Sequence, residues 1–181
     1  MGRFALQDNT TGGNNVAIGY RALYSNTTGA GNIGIGSRTA SGVDSPVFDT
    51  TTENNRIAMG STETTHAYVK VAWTVAADER DKMNFATVPH GLNFVNALQP
   101  VAYRFKINRN TEQANGPMRY GFKAQDILAL EGSNPVIVDN ENSNQLFCNT
   151  EALIPILVNA VKELSAMVSS LQAQLASHLS I

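Results

Sequence analysis

Asn9-Thr10-Thr11-Gly12-Gly13-Asn14-Asn15-Val16-Ala17-Ile18-Gly19 returns 17 residues later as Asn26-Thr27-Thr28-Gly29-Ala30-Gly31-Asn32-Ile33-Gly34-Ile35-Gly36. A looser third copy, Asn54-Asn55-Arg56-Ile57-Ala58-Met59-Gly60, follows an insertion. The pairs Ala5-Leu6 and Ala22-Leu23 keep the same offset, so the chain begins inside a repeat and reads as the tail end of a longer protein. Each copy alternates a large apolar residue (Val16, Ile18; Ile33, Ile35; Ile57, Met59) with a small one (Ala17, Gly34, Ala58). Alternation with a period of two, bounded by Asn and Gly, predicts short strands. A strand this short cannot bury its apolar face alone, so stacked copies or neighbouring chains must cover it. Either a single-chain β-solenoid or strands from three chains around one axis would serve. With so few irregular copies a solenoid is short of neighbours, which favours the three-chain structure.

Composition changes near residue 76. Residues 1–76 hold 10 of the 14 glycines and 12 of the 15 threonines, whereas 77–181 hold 18 of the 28 charged residues. Two modules follow: an all-β repeat region, 1–76, and an α+β domain, 77–181. The net charge of -2 and the 15% charged content give no basic surface for nucleic acid. A single cysteine, Cys148, excludes an internal disulfide and reads as an inert thiol. No apolar run reaches membrane-spanning length and the N-terminus lacks a signal-peptide pattern, so a soluble protein without membrane insertion is expected.

Between the modules, Tyr68-Val69-Lys70-Val71-Ala72-Trp73-Thr74-Val75 alternates large and small side chains and predicts one more strand. Beyond it, 93–98 predicts a short helix stopped by Pro100, 101–107 a strand, and 108–118 a loop or protruding hairpin. Residues 127–130 predict helix, and 139–145 a second hairpin-like segment after the apolar run 135–138. The last segment, about 151–179, is a long helix with Thr150 as its expected N-cap and Pro155 near its start. Leu157, Val161, Leu164, Val168, Leu171 and Leu175 recur in steps of four and three, a coiled-coil seam with Val161, Val168 and Leu175 at a and Leu at d. Only Lys162 and Glu163 are charged between 153 and 181. Val at a with Leu at d by itself favours a dimer.

Ala77-Asp78-Glu79-Arg80-Asp81-Lys82 opens the second module. It resembles the motif Ser-Asp-x-Arg-x-Lys of the intramolecular chaperone family found at the C-terminus of phage tailspikes, tail fibres and neck appendages, the endosialidase-type or S74 peptidases. Three further stations resemble the family in the same order: Leu98-x-Pro100-x-x-Tyr103, Gly121-Phe122-x-Ala124-Gln125-Asp126-Ile127, and Leu153-Ile154-Pro155 through Ala160-x-x-Glu163-Leu164. Asn-x-Val-Ala-Ile-Gly is similar, in turn, to repeats in the heads of trimeric adhesins and in phage fibres.

The resemblance implies a trimeric, triple-β-helix-like fibre end followed by a chaperone that forms a coiled-coil-like trimer. It implies a homotrimer whose folding client is its own N-terminal fibre, with polar segments such as 108–118 and 139–145 embracing the strands. It also implies self-cleavage between Ala76 and residue 77 by a serine nucleophile at position 77, with Lys82 as general base and Asp78 and Arg80 supporting. Assembly would take place in the host cytoplasm, leaving a virion fibre that binds a host-surface receptor while the chaperone departs. A serine hydroxyl needs such a base, and a lysine serves only when desolvation or a nearby positive charge lowers its pKa. Arg80 is the candidate charge, opposed by Asp78, Glu79 and Asp81. Ala77 carries no hydroxyl, so this chain is expected to fold without cutting. Ala77 reads either as a deliberate replacement that traps the precursor or as a natural inactive variant. The alternative is a structural adhesin tip with a permanent C-terminal trimerisation anchor. A polysaccharide-degrading enzyme has little support, because 1–76 lacks a convincing carboxylate pair. His66, His90 and His178 are scattered, so no metal is expected, and no glycine cluster supports a phosphate loop or other cofactor site.

Overall fold

A computed structural model describes residues 2–36, 42 and 46–179. The chain divides into two compact units: Met1–Ala72 with Arg104–Arg119, and Trp73–Tyr103 with Tyr120–Ile181.

In the first unit the three copies become β1 (Val16–Ile18), β2 (Ile33–Ile35) and β3 (Ile57–Met59). They pair in parallel and in register, Val16 against Ile33 against Ile57 and Ile18 against Ile35 against Met59. The copies therefore pair with one another within one chain, as a short parallel stack. Side chains between the rungs supply what a small apolar core does not. Asn26 Nδ2 donates to Asn9 Oδ1 (2.7 Å), and Asn32 Nδ2 donates to the Glu53 carbonyl (2.7 Å) while its Oδ1 accepts from Arg56 N (2.9 Å). Thr10 and Thr27 repeat one contact, each hydroxyl donating at 2.9 Å to the carbonyl of the next threonine in the column, Thr27 and Thr51. The backbone repeats as well: Asn14, Gly31 and Asn55 all take φ near +60°, and Gly19, Gly36 and Gly60 all take positive φ. These are conformations that Gly and Asn adopt at least cost, which is why those residue types recur at the corners.

The strands face the opposite way from what a hydrophobic-in reading suggests. Ala17 and Ala58 are buried and pack with Ala22, Leu23 and Phe48, whereas Val16, Ile18, Ile35, Ile57 and Met59 are exposed. Gly34 shows why the inner column must be small: a Cβ there would lie 2.6 Å from Leu23 Cγ. Stacking therefore leaves the large aliphatic face uncovered. Within this unit Asn115 Nδ2 also reaches the Thr62 carbonyl (3.5 Å), and the Arg119 guanidinium donates to the Thr65 carbonyl.

The second unit contains α1 (Leu92–Ala97), α2 (Ala124–Glu131), the hairpin of β6 (Val138–Asp139) with β7 (Phe147–Cys148), and α3 (Leu153–Leu179). A two-stranded ribbon, β4 (Val101–Lys106) with β5 (Ala114–Gly121), has its ends in this unit and its outer part, 104–119, in the first. Phe94, Ile127, Ile137, Val138, Leu153 and Ile156 form the core. The Glu131 carboxylate ends α2 by accepting from the amides of Val136, Ile137 and Val138 (2.8, 2.8 and 3.0 Å). Partial burial, and secondarily that carboxylate, push the Cys148 thiol up, which keeps it protonated and unreactive.

Three local expectations are corrected. Residues 68–75 bend at Lys70 and Val71 and pair with no strand among the described residues, and so are not the expected β-strand. Thr150 does not cap α3; it opens a 3-10 turn, Thr150–Ala152, that runs into the helix. The segment 150–179 is long and apolar enough to cross a membrane, with a mean hydropathy of 1.5 over its best window. Serines and glutamines break up its apolar residues, which is why no continuous run is visible in the sequence.

Candidate self-processing site

Residues 76–82 build one turn of structure. Asp78 takes an extended backbone and accepts from Arg80 N at 2.9 Å, starting a 3-10 turn over Glu79–Asp81. An aspartate is well suited to that position, where its carboxylate satisfies an otherwise unpaired amide. The Arg80 guanidinium folds back on the same carboxylate, Nε to Oδ1 at 3.0 Å and Nη2 to Oδ2 at 2.6 Å. The side-chain hydrogen bond from Arg80, then its backbone amide, hold the Asp78 carboxyl below its ordinary value of 3.8, and Asp78 raises Arg80 in return. Lys82 closes the turn, its amide donating to the Glu79 carbonyl at 3.0 Å. Ala76 and Ala77 lead into the turn outside any helix or strand.

The arrangement brings Asp78 and Arg80 together and sets Lys82 one turn beyond position 77. It does not surround them: every residue from 66 to 89 is exposed. That stretch carries Tyr68, Val69, Val71, Trp73 (76% exposed), Val75, Met83 and Phe85.

The chain becomes fixed again at 88–92, through two residues of α3 one helical turn apart. Asn159 Nδ2 donates to the carbonyls of Val88 (3.3 Å) and His90 (3.1 Å). Glu163 Oε2 accepts from Leu92 N (2.8 Å), satisfying the first amide of α1. Gly91 makes room for it, since a Cβ there would lie 2.0 Å from Glu163 Oε1. A cleft of about 380 Å³ lies alongside, lined by Pro89, His90, Phe94 and Leu130 among others. His90 rests on Phe94, with ring centroids 4.3 Å apart, and His66 stacks on Tyr68. Among the described residues, no three His, Cys, Asp or Glu side chains are placed to hold a metal.

The motif stations seen in the sequence converge. Leu98 from the first, Phe122, Ala124 and Ile127 from the second, and Leu153 and Ile156 from the third share one core. Tyr103 and Gly121 also meet, a Cβ on Gly121 lying 3.1 Å from Tyr103 Cε1. Residues 77–133 match the family described as chaperone of endosialidase, peptidase S74. The match begins at the motif and takes in the first two stations of this endosialidase-chaperone pattern; the third station lies beyond it. It covers under half of the chain. No curated protein and no solved structure matches the chain. The sequence motifs alone do not point to Asn159, and Glu163 appears in them without a role; their partners lie about 70 residues away.

Proposed function

We propose that this chain is the C-terminal part of a phage tail fibre or tailspike precursor, in which 77–181 trimerises and folds the fibre end 1–76. The observation that carries this reading is the family match starting at residue 77, after the repeats. Three uncovered apolar surfaces support a homotrimer: the outward columns of β1–β3, the segment 68–75, and the α3 seam with Leu157, Val161, Leu164, Val168, Leu171 and Leu175 all exposed. The coiled-coil spacing on α3 favours burial against copies of itself over a membrane, although its mean hydropathy would permit either. Threading three chains into register is entropically costly, and a C-terminal domain that associates first raises the effective concentration of the strands. The contacts of Asn115 and Arg119 with 62–65 suit an arm that grips the fibre.

In the parent enzyme a serine at 77 would attack the Ala76 carbonyl carbon. Lys82 takes the hydroxyl proton, the Ala76–77 C–N bond breaks, and the acyl group passes to the serine oxygen. The freed amine takes up the proton, and water then hydrolyses the ester. The mature fibre would stay in the virion to bind a host-surface receptor, the chaperone being released in the host cytoplasm.

The Ala77→Ser protein should divide into pieces of 76 and 105 residues by intact mass, and adding Lys82→Ala should stop it. An Ala77→Ser protein that stays whole would refute the self-processing reading. Released 1–76 should stay trimeric yet fail to refold after denaturation. Refolding as ready as that of the full chain would favour the permanent adhesin anchor instead.

A further inference from the structure

We propose that Asn159 and Glu163 are positioning residues for self-cleavage, forming a latch by which α3 fixes the chain that follows the scissile bond and its motif. The inference rests on the self-processing reading above and adds the groups that aim the motif.

Everything from 66 to 89 is exposed in the single chain, so within the chain the motif takes its position from where the backbone is next held on its C-terminal side. That place is 88–92, and the groups holding it come from α3: the Asn159 amide on two carbonyls and the Glu163 carboxylate on the Leu92 amide. Asn159 and Glu163 lie on the helix face that also carries the buried Ile156 and Ala160. Leu157, Val161 and Leu164 are exposed on the same stretch of helix. One rigid helix thus carries both the grip on the processing segment and the seam proposed for self-association. Gly91 is the complementary half of the latch, because any side chain there would occupy the position of Glu163 Oε1. Catalytic geometry tolerates little displacement: a misplacement of about 1 Å can cost on the order of a hundredfold in rate.

The test uses the full chain with Ala77→Ser and follows cleavage by intact mass, with trimer mass and helix content measured in parallel. Glu163→Ala should slow cleavage about a hundredfold while mass and helix content stay unchanged. Glu163→Gln keeps an oxygen acceptor for the Leu92 amide and should recover most of the rate, which a general loss of packing would not allow. Asn159→Ala and Gly91→Ala should slow cleavage without touching position 77 or Lys82. In the uncut Ala77 chain, Glu163→Ala should also speed hydrogen exchange at the Leu92 amide. Unchanged cleavage in both Glu163→Ala and Asn159→Ala, or unchanged exchange at Leu92, overturns the latch while leaving self-processing intact. An inert Ala77→Ser parent overturns both.

Discussion

Ile57 offers the sharpest test of which face of the repeat region meets its neighbours. It is 67% exposed in the single chain and lies at the end of the outward column Val16–Ile33–Ile57. Replacing it with threonine keeps β-branching and strand preference while exchanging apolar carbon for a hydroxyl. If the column faces solvent, Ile57→Thr should change stability by no more than about 0.5 kcal/mol. If it faces a three-fold axis, the loss of buried hydrocarbon is about 2 kcal/mol per chain. Three symmetry-related chains then lose about 6 kcal/mol, close to four orders of magnitude in the dissociation constant. Gly34→Ala is the matched control on the inner column. Its Cβ would crowd Leu23 at 2.6 Å, so it should cost about 1–3 kcal/mol in each chain whether or not chains associate. A light-scattering dilution series reads assembly, and urea unfolding reads the chain. Were Ile57→Thr to leave the mass-against-concentration curve in place while the parent is trimeric, the outward column would not be the trimer contact.

Asn32→Ala removes the side chain that joins the Glu53 carbonyl and the Arg56 amide; it should cost about 2–3 kcal/mol by urea midpoint and loosen β3 before β1. The Asp78 carboxyl titrates below its ordinary value because Arg80 binds its charged form. Its contribution to the turn is therefore complete above the ordinary carboxylate range and is lost only as pH falls through the depressed folded value. The Arg80 amide chemical shift should stay flat from neutrality down to about pH 5 and move only in stronger acid; a transition centred near neutral pH would contradict that pairing.

The repeats were legible because Asn and Gly mark corners that only a few residue types occupy, and Asn14, Gly31 and Asn55 mark the same corner in each copy. Which side of each strand faces inward was not legible. Alternation identifies two faces, and only the tight approach of Leu23 to Gly34 decides that the small residues go inside. The alternation at 68–75 predicted a strand that does not form, because alternation identifies two faces without supplying a strand to pair with. In the C-terminal region the helices α1 and α3 followed from periodicity and Pro100. The Leu92–Glu163 hydrogen bond links positions 71 residues apart and left no periodic trace. Within the motif, the residue types carried the family resemblance, but the pairing of Arg80 with Asp78 appears only in three dimensions.

The spacing of the threonine column changes from 17 residues at the first step to 24 at the second, yet β2 and β3 pair in the same register as β1 and β2. In the sequence the additional residues enter between Gly36 and Thr51, outside the paired strands. Alignment of rungs is thus decoupled from the length of chain that joins them, because it is enforced by short-range hydrogen bonding within each column. A region built this way can take a longer connection between two copies without resetting the pairing of its strands. The same property would let the length of chain between copies vary while the pairing beneath stays constant.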